Sequence, residues 1–188
     1  MESPTSSETG TRKLPENTLA SFCTRGVTFG LLAYLVGYLL VAALFVVGPA
    51  NVEGTLGVQL TWFGFAFYNA HFIPIAVGSQ SYNYITEATN PAVPSFVYFL
   101  IPVVSLLATS AVFSSRNRMD DPVETIVYSG ASITVGYAVV AVLVALMLTL
   151  HVDSITAQPD LLKSAVIGAA YPVVLATVAA FAVTFLRR

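Results

Sequence analysis

The chain has 188 residues, 56% of them hydrophobic and 10% charged, with a formal net charge of −2 and one cysteine. Soluble domains carry roughly a quarter charged residues, so this composition excludes an ordinary water-soluble domain and is that of a membrane protein. The near-neutral balance without a basic run excludes a nucleic-acid partner, and a single cysteine excludes an internal disulfide or a cysteine-based metal centre.

Residues 1–25, MESPTSSETGTRKLPENTLASFCTR, are rich in Ser, Thr, Glu and Pro and too polar to bury a core. They are predicted to form a disordered cytoplasmic tail, with residues 26–188 forming one polytopic membrane domain. Cys23 reads as a small apolar residue at the membrane edge. The first apolar block, 27–48, is full length and lacks a cleavage-site pattern, so it reads as an anchor rather than a signal peptide. Gly26 and Gly30 form a GxxxG continued by Gly37, spacing that lets helices approach closely.

The next block, 58–78, is weaker, because Gln59, Asn69, His71 and Pro74 interrupt it and six aromatic residues crowd it. Three further blocks, 95–113, 125–150 and 161–186, are each long enough to span a bilayer core of about 30 Å. Asp121 followed by Pro122 predicts one helix start, and Asp160 predicts another. Pro102 and Pro172 lie inside blocks, where each deletes a backbone donor and is expected to kink its helix. Ser164 and Gly168 repeat the small-residue spacing and are expected at a helix contact, like Gly26, Gly30 and Gly37.

Charge decides how 58–78 is read, because Lys and Arg in short loops concentrate on the cytoplasmic side. If all five blocks cross, Arg12, Lys13, Arg25 and Lys163 face Arg116, Arg118, Arg187 and Arg188, an even split. If 58–78 does not cross, Lys163 alone stands opposite the rest. The expected architecture is therefore an all-α bundle of four transmembrane helices plus one re-entrant or interfacial helix, with the N-terminus cytoplasmic. The alternative is five transmembrane helices.

His71 is the sole side chain inside an apolar block whose ordinary pKa lies near neutrality. Imidazole titrates near neutral pH, and a polar residue at membrane depth is a site candidate. In a helix Tyr68 shares its face, whereas Asn69 lies about 160° away. Two readings stand. One makes His71, Tyr68 and Asn69 ligand-binding or cavity-mouth residues; the other makes His71 an interfacial anchor bonded to water or a carbonyl. In the 125–150 block, Tyr128, Ser132, Thr134 and Tyr137 read either as a cavity lining or as interhelical hydrogen bonds of about 0.6–2 kcal/mol each. His151 and Asp153 read as a solvated loop, since a metal site needs three or four ligands.

No Asp, Glu, Lys or Arg occupies a block interior, which disfavours an ion-coupled pump. No P-loop, HExxH, GxSxG or kinase signature is present, so the chain reads as a non-enzyme without catalytic residues, cofactor or metal.

The segments GLLAYLVGYL at 30–39, FYNAHF at 67–72 and PDLLKSAVIGAAYPVVLATV at 159–178 resemble an uncharacterised family of small haloarchaeal multi-pass membrane proteins. Only FYNAHF is distinctive among them. The resemblance implies a haloarchaeal cell membrane and, for some members, a transporter label without an assigned activity. Two functions are compatible with these readings: a small passive transporter or channel-like permease, and a non-catalytic accessory or assembly subunit. Expected partners are the lipid bilayer and either further copies of the chain or another membrane protein.

Overall fold

The computed structural model describes residues 16–47, 54–87, 93–152 and 155–186. In chain order the elements are α1 (Glu16–Val47), α2 (Leu56–Ala70), β1 (Ile75–Val77), β2 (Gln80–Tyr82), α3 (Tyr84–Glu87), α4 (Ser95–Arg116), α5 (Pro122–Met147), β3 (Leu150–Val152), β4 (Ile155–Pro159) and α6 (Leu161–Leu186). Among the described residues four helices, α1, α4, α5 and α6, are long and apolar enough to cross a membrane. Two helices start where aspartates can accept orphan backbone donors. Asp121 Oδ1 accepts from Val123 N at 2.7 Å, and Asp160 Oδ1 from Lys163 N at 2.9 Å. Helices α4 and α6 continue through Pro102 and Pro172, both buried.

Helix α1 begins earlier than composition suggests. Residues 16–25, expected in the tail, are helical, and residues 1–15 lie outside the described residues. Packing is the cause: Phe22 is buried edge-on against Phe113, with ring centroids 5.1 Å apart. A single anchoring ring does not register in a composition average.

Contacts set the directions of the helices. Gly26 meets Ser132 and Gly30 meets Ile133 and Gly136, so α1 and α5 run parallel. The Phe29–Phe113 and Phe45–Tyr98 ring pairs make α4 antiparallel to α1. Gly130 against Thr177 and Gly168 against Ala141 do the same for α5 and α6.

Helix α2 runs antiparallel to α1 and α5. Its Phe63 meets Phe45 and its Gly64 meets Leu148, whereas Phe67 meets Tyr34 and Gly37 deeper in the bundle. The deepest contact, His71 with Tyr137, lies about 15 Å below the Met147 end of α5 at 1.5 Å per residue. The chain then turns back. The Asp160 N–H donates to the Pro74 carbonyl at 3.1 Å and β1 pairs with β4, both at the end where α5 finishes and α6 starts. Residues 56–77 thus enter and leave the bundle by one end.

This return corrects two expectations. The block 58–78 is not one helix, because it ends at Ala70 and continues as a turn and the strand β1. The fold is also not purely helical: a four-stranded antiparallel sheet, order β2-β1-β4-β3, closes that end. Strands β1 and β2 are joined through Gly78 and Ser79, and Gly78 at φ 61 takes the first central position, where a two-residue hairpin requires left-handed backbone. Ile73 and Ile75 point into a small core with Phe65, Tyr68 and Ala145 beneath the sheet. The main core, including Tyr34, Phe67, Leu106, Phe113, Ile133 and Tyr137, fills the bundle. Outward faces carry Leu35, Leu39, Leu100, Val104, Val139, Leu143, Val174 and Phe181, all exposed.

Candidate functional site

The site begins with how α2 stops. Its end is built like a Schellman motif: Ile73 N donates to Tyr68 O at 3.0 Å and Phe72 N to Asn69 O at 2.9 Å. The residue that must adopt left-handed backbone there is Phe72, at φ 61, where glycine is usual. Its ring stacks on Phe99 at 4.4 Å, nearly parallel. The stack is worth about 0.5–1.5 kcal/mol, comparable to the backbone cost of about 1–2 kcal/mol.

His71 occupies the C-cap. Its own N–H bonds to Tyr68 O at 2.9 Å, which frees the Phe67 carbonyl for a second donor. His71 Nδ1 lies 2.7 Å from that carbonyl oxygen. A carbonyl only accepts, so Nδ1 carries the proton and Nε2 is the acceptor. Tyr137 supplies the matching donor, its hydroxyl 2.6 Å from Nε2. The ring lies edge-on to Phe67 at 4.6 Å and beside Tyr171 at 5.4 Å, and the residue is 3% exposed. Burial disfavours the imidazolium and lowers the pKa from 6.5 to about 4, against a smaller upward pull from the Phe67 carbonyl. His71 is therefore neutral across the physiological range, not a group that titrates near neutrality.

A second chain of hydroxyls runs beside it. Tyr34 OH donates to Tyr68 OH at 3.1 Å, and Tyr68 OH donates to the Ala141 carbonyl. Burial raises the Tyr68 pKa. Between Tyr34, Tyr68, His71 and Tyr137 remains a cavity of about 10 Å³, room for one water at most.

The expected residues separate into groups. His71, Tyr68 and Tyr137 converge, but His71 pairs with Tyr137 of α5 rather than with Tyr68, and it is enclosed rather than at a cavity mouth. Asn69 faces the other way and braces the turn, donating to Ile73 O at 2.9 Å and accepting from Tyr84 N at 2.9 Å. Ser132 and Thr134 return their hydroxyls to their own helix, to Tyr128 O at 2.5 Å and Gly130 O at 2.7 Å. The Tyr128 side chain is a partly buried flank of the main core.

Among the packing residues, a Cβ on Gly30 would sit 2.2 Å from Ile133 O, one on Gly26 1.9 Å from Ser132 Oγ, and one on Gly37 2.8 Å from the Phe67 ring. Gly168 is less tight, its added Cβ 3.1 Å from Ala141 Cβ, and buried Ser164 caps back to Asp160 O at 2.7 Å. His151 hydrogen-bonds Thr156 at 3.1 Å across β3 and β4; Asp153 lies outside the described residues. Among the described residues no three His, Cys, Asp or Glu side chains gather as a metal site.

Two participants were missed from sequence, Tyr34 and Tyr171. Tyr34 sits four residues from Gly30, a hydroxyl on the face that a GxxxG already marks as buried, and that was the available signal.

A family model described as a family of unknown function, DUF7978, matches residues 1–187. The chain belongs to this family. No curated protein and no solved structure matches it. The DUF7978 match spans the α2 insertion and the four long helices alike, so the Tyr–His cluster lies within the family's own unit.

Proposed function

We propose that this DUF7978 chain is a four-span cell-membrane protein with α2 re-entrant, N-terminus cytoplasmic, acting as a non-catalytic accessory or assembly subunit. The haloarchaeal membrane implied by the resemblance belongs to the same proposal. The supporting observation is how Ser132, Thr134, Tyr137 and Tyr68 are spent, although the buried hydroxyls of Ser110, Ser114 and Ser129 have no partner among the described residues. Ser132 and Thr134 bond within α5, Tyr137 bonds His71, and Tyr68 bonds Ala141, around a cavity of about 10 Å³. A solute path needs polar groups facing a wet lumen, and these four are taken up by backbone carbonyls or by His71.

The permease reading draws on a different feature. An open groove of about 650 Å³ lies beside the α2 turn, lined by Phe72, Pro74, Asn83, Thr86 and Lys163 among others. For that groove to serve transport, α2 would have to withdraw from Tyr34 and Tyr137. Flux through proteoliposomes of the purified chain decides between the two. The accessory reading expects ion and small-solute leakage equal to that of protein-free vesicles, together with reproducible cross-links to one membrane partner in native membranes. Protein-dependent, saturable flux would overturn it in favour of the permease.

A further inference from the structure

We propose that the end of the bundle opposite the sheet carries a phosphate-binding pocket formed by Arg25, Arg116 and Arg118, taking the phosphodiester of an anionic lipid headgroup or a free phosphate. The three arginines come from α1, from the last turn of α4 and from the α4–α5 connection, and they line one cavity of about 410 Å³ with Asn117, Thr18 and Ser21. That volume is within the range of small-ligand sites, about 300–1,000 Å³.

One guanidinium is held in place. Arg25 Nη1 donates to Asn117 Oδ1 at 3.3 Å, while Asn117 Nδ2 donates to the Phe113 carbonyl at 3.0 Å. Both ends of the amide are thus engaged, which fixes its orientation and leaves the remaining Arg25 donors for a ligand.

Among the described residues no carboxylate lines the pocket. Asp121, nearby in sequence, spends an oxygen on Val123 N, and the ion pair found among the described residues, Lys163 with Asp160, sits at the sheet end. Three like charges around one concavity repel unless an anion lies between them. A phosphate group offers several acceptor oxygens to planar, forked guanidiniums, and all three cations here are arginine rather than lysine. Lipid-facing surface is close at hand. Val112 and Leu31, both exposed, lie four and six residues from Arg116 and Arg25, about 6 and 9 Å along the helices.

The test is calorimetric titration of the full chain in neutral detergent with short-chain phosphatidylglycerol, with inorganic phosphate, and with a short-chain diacylglycerol lacking phosphate. The wild type should bind phosphatidylglycerol and not the diacylglycerol. Arg25→Gln and Arg118→Gln should each weaken binding about fivefold, and the double variant about 25-fold. Arg118→Lys, which keeps the charge but not the fork, should fall between. Lys163→Gln at the other end should bind as wild type. Arg118 lies outside the helices, so its variants test the pocket even if an α1 substitution disturbs folding. Inorganic phosphate binding with the same arginine dependence identifies free phosphate as a source; phosphatidylglycerol binding alone identifies the lipid headgroup. Failure of both to bind, or binding unchanged by Arg25→Gln and Arg118→Gln, overturns the proposal.

Discussion

With Nδ1–H committed to the Phe67 carbonyl, His71 has one lone pair left, and Tyr137 fills it. Tyr137→Phe leaves that acceptor buried without a donor, an expected loss of about 1–3 kcal/mol. Tyr34→Phe should cost less, because Tyr68 OH keeps its bond to the Ala141 carbonyl. Melting of the two variants in detergent checks the order, and equal losses would mean that His71 recruits another donor. Acid sensitivity follows from the same enclosure. Burial lowers the folded pKa of His71 to about 4, against 6.5 for an exposed imidazole, so the fold holds the neutral form. Above pH 6.5 both folded and unfolded chains are neutral at this residue and it adds no slope. Between pH 6.5 and 4 the unfolded chain takes up a proton that the folded chain refuses. Stability should then fall by about 1.4 kcal/mol per pH unit and level off below pH 4. In His71→Gln this part of the decline should disappear; an unchanged decline would assign acid sensitivity to the carboxylates.

Close approach of helices makes a graded series of glycines. A Cβ on Gly136 would lie 2.1 Å from Val27 O and one on Gly30 2.2 Å from Ile133 O, so each meets backbone that cannot step aside. Gly30→Ala and Gly136→Ala should therefore separate α1 from α5 at a cost of about 1–3 kcal/mol or more. Gly168→Ala meets a methyl at 3.1 Å and should cost less than either. Thermal midpoints in one detergent rank the three, and a Gly168 variant as damaged as Gly30→Ala would contradict the geometry. The long helices were legible in sequence because lipid leaves a helix as the way to pair every backbone group within one segment, and Asp121 and Asp160 mark two of their starts. The sheet was not legible. Its strands run three to five residues, too short for alternation to show, and β1 pairs with the distant β4, Ile75 opposite Pro159. Pro74 and His71 signalled an interrupted helix, but the left-handed stop fell on Phe72, which carries none of the usual glycine signal. For the site, Tyr68 and His71 stood out by polarity within an apolar block, whereas the pairing of His71 with Tyr137 depends on the parallel packing of α1 with α5 and the insertion of α2 beside them, which no local pattern encodes.

Apolar side chains cover the outside of the bundle while serines, threonines and the Tyr–His cluster lie within, an arrangement suited to lipid rather than water. Under that reading the two ends of the bundle face different compartments, and α2 decides which loops share one. Because residues 56–77 return to the end they entered, the start of α1 and the α4–α5 connection lie together, as the Arg25–Asn117 hydrogen bond requires. Five crossings would instead put them on opposite sides. The two topologies separate cleanly with single cysteines at Thr18, Thr86 and Arg118 in a Cys23→Ser background, labelled by a membrane-impermeant maleimide before and after permeabilisation. The expected outcome is that Thr18→Cys and Arg118→Cys behave alike and Thr86→Cys behaves oppositely. With the proposed cytoplasmic N-terminus, which the excess of Lys and Arg at the Thr18 and Arg118 end supports, only Thr86→Cys should label on intact cells. Thr86 and Arg118 fall on opposite sides under either topology, so the pairing of Thr18 with Arg118 is the discriminating observation. Labelling of those two from opposite sides would mean that residues 58–78 cross, and that α2 lies differently in the membrane from its place beside Tyr34 and Tyr137.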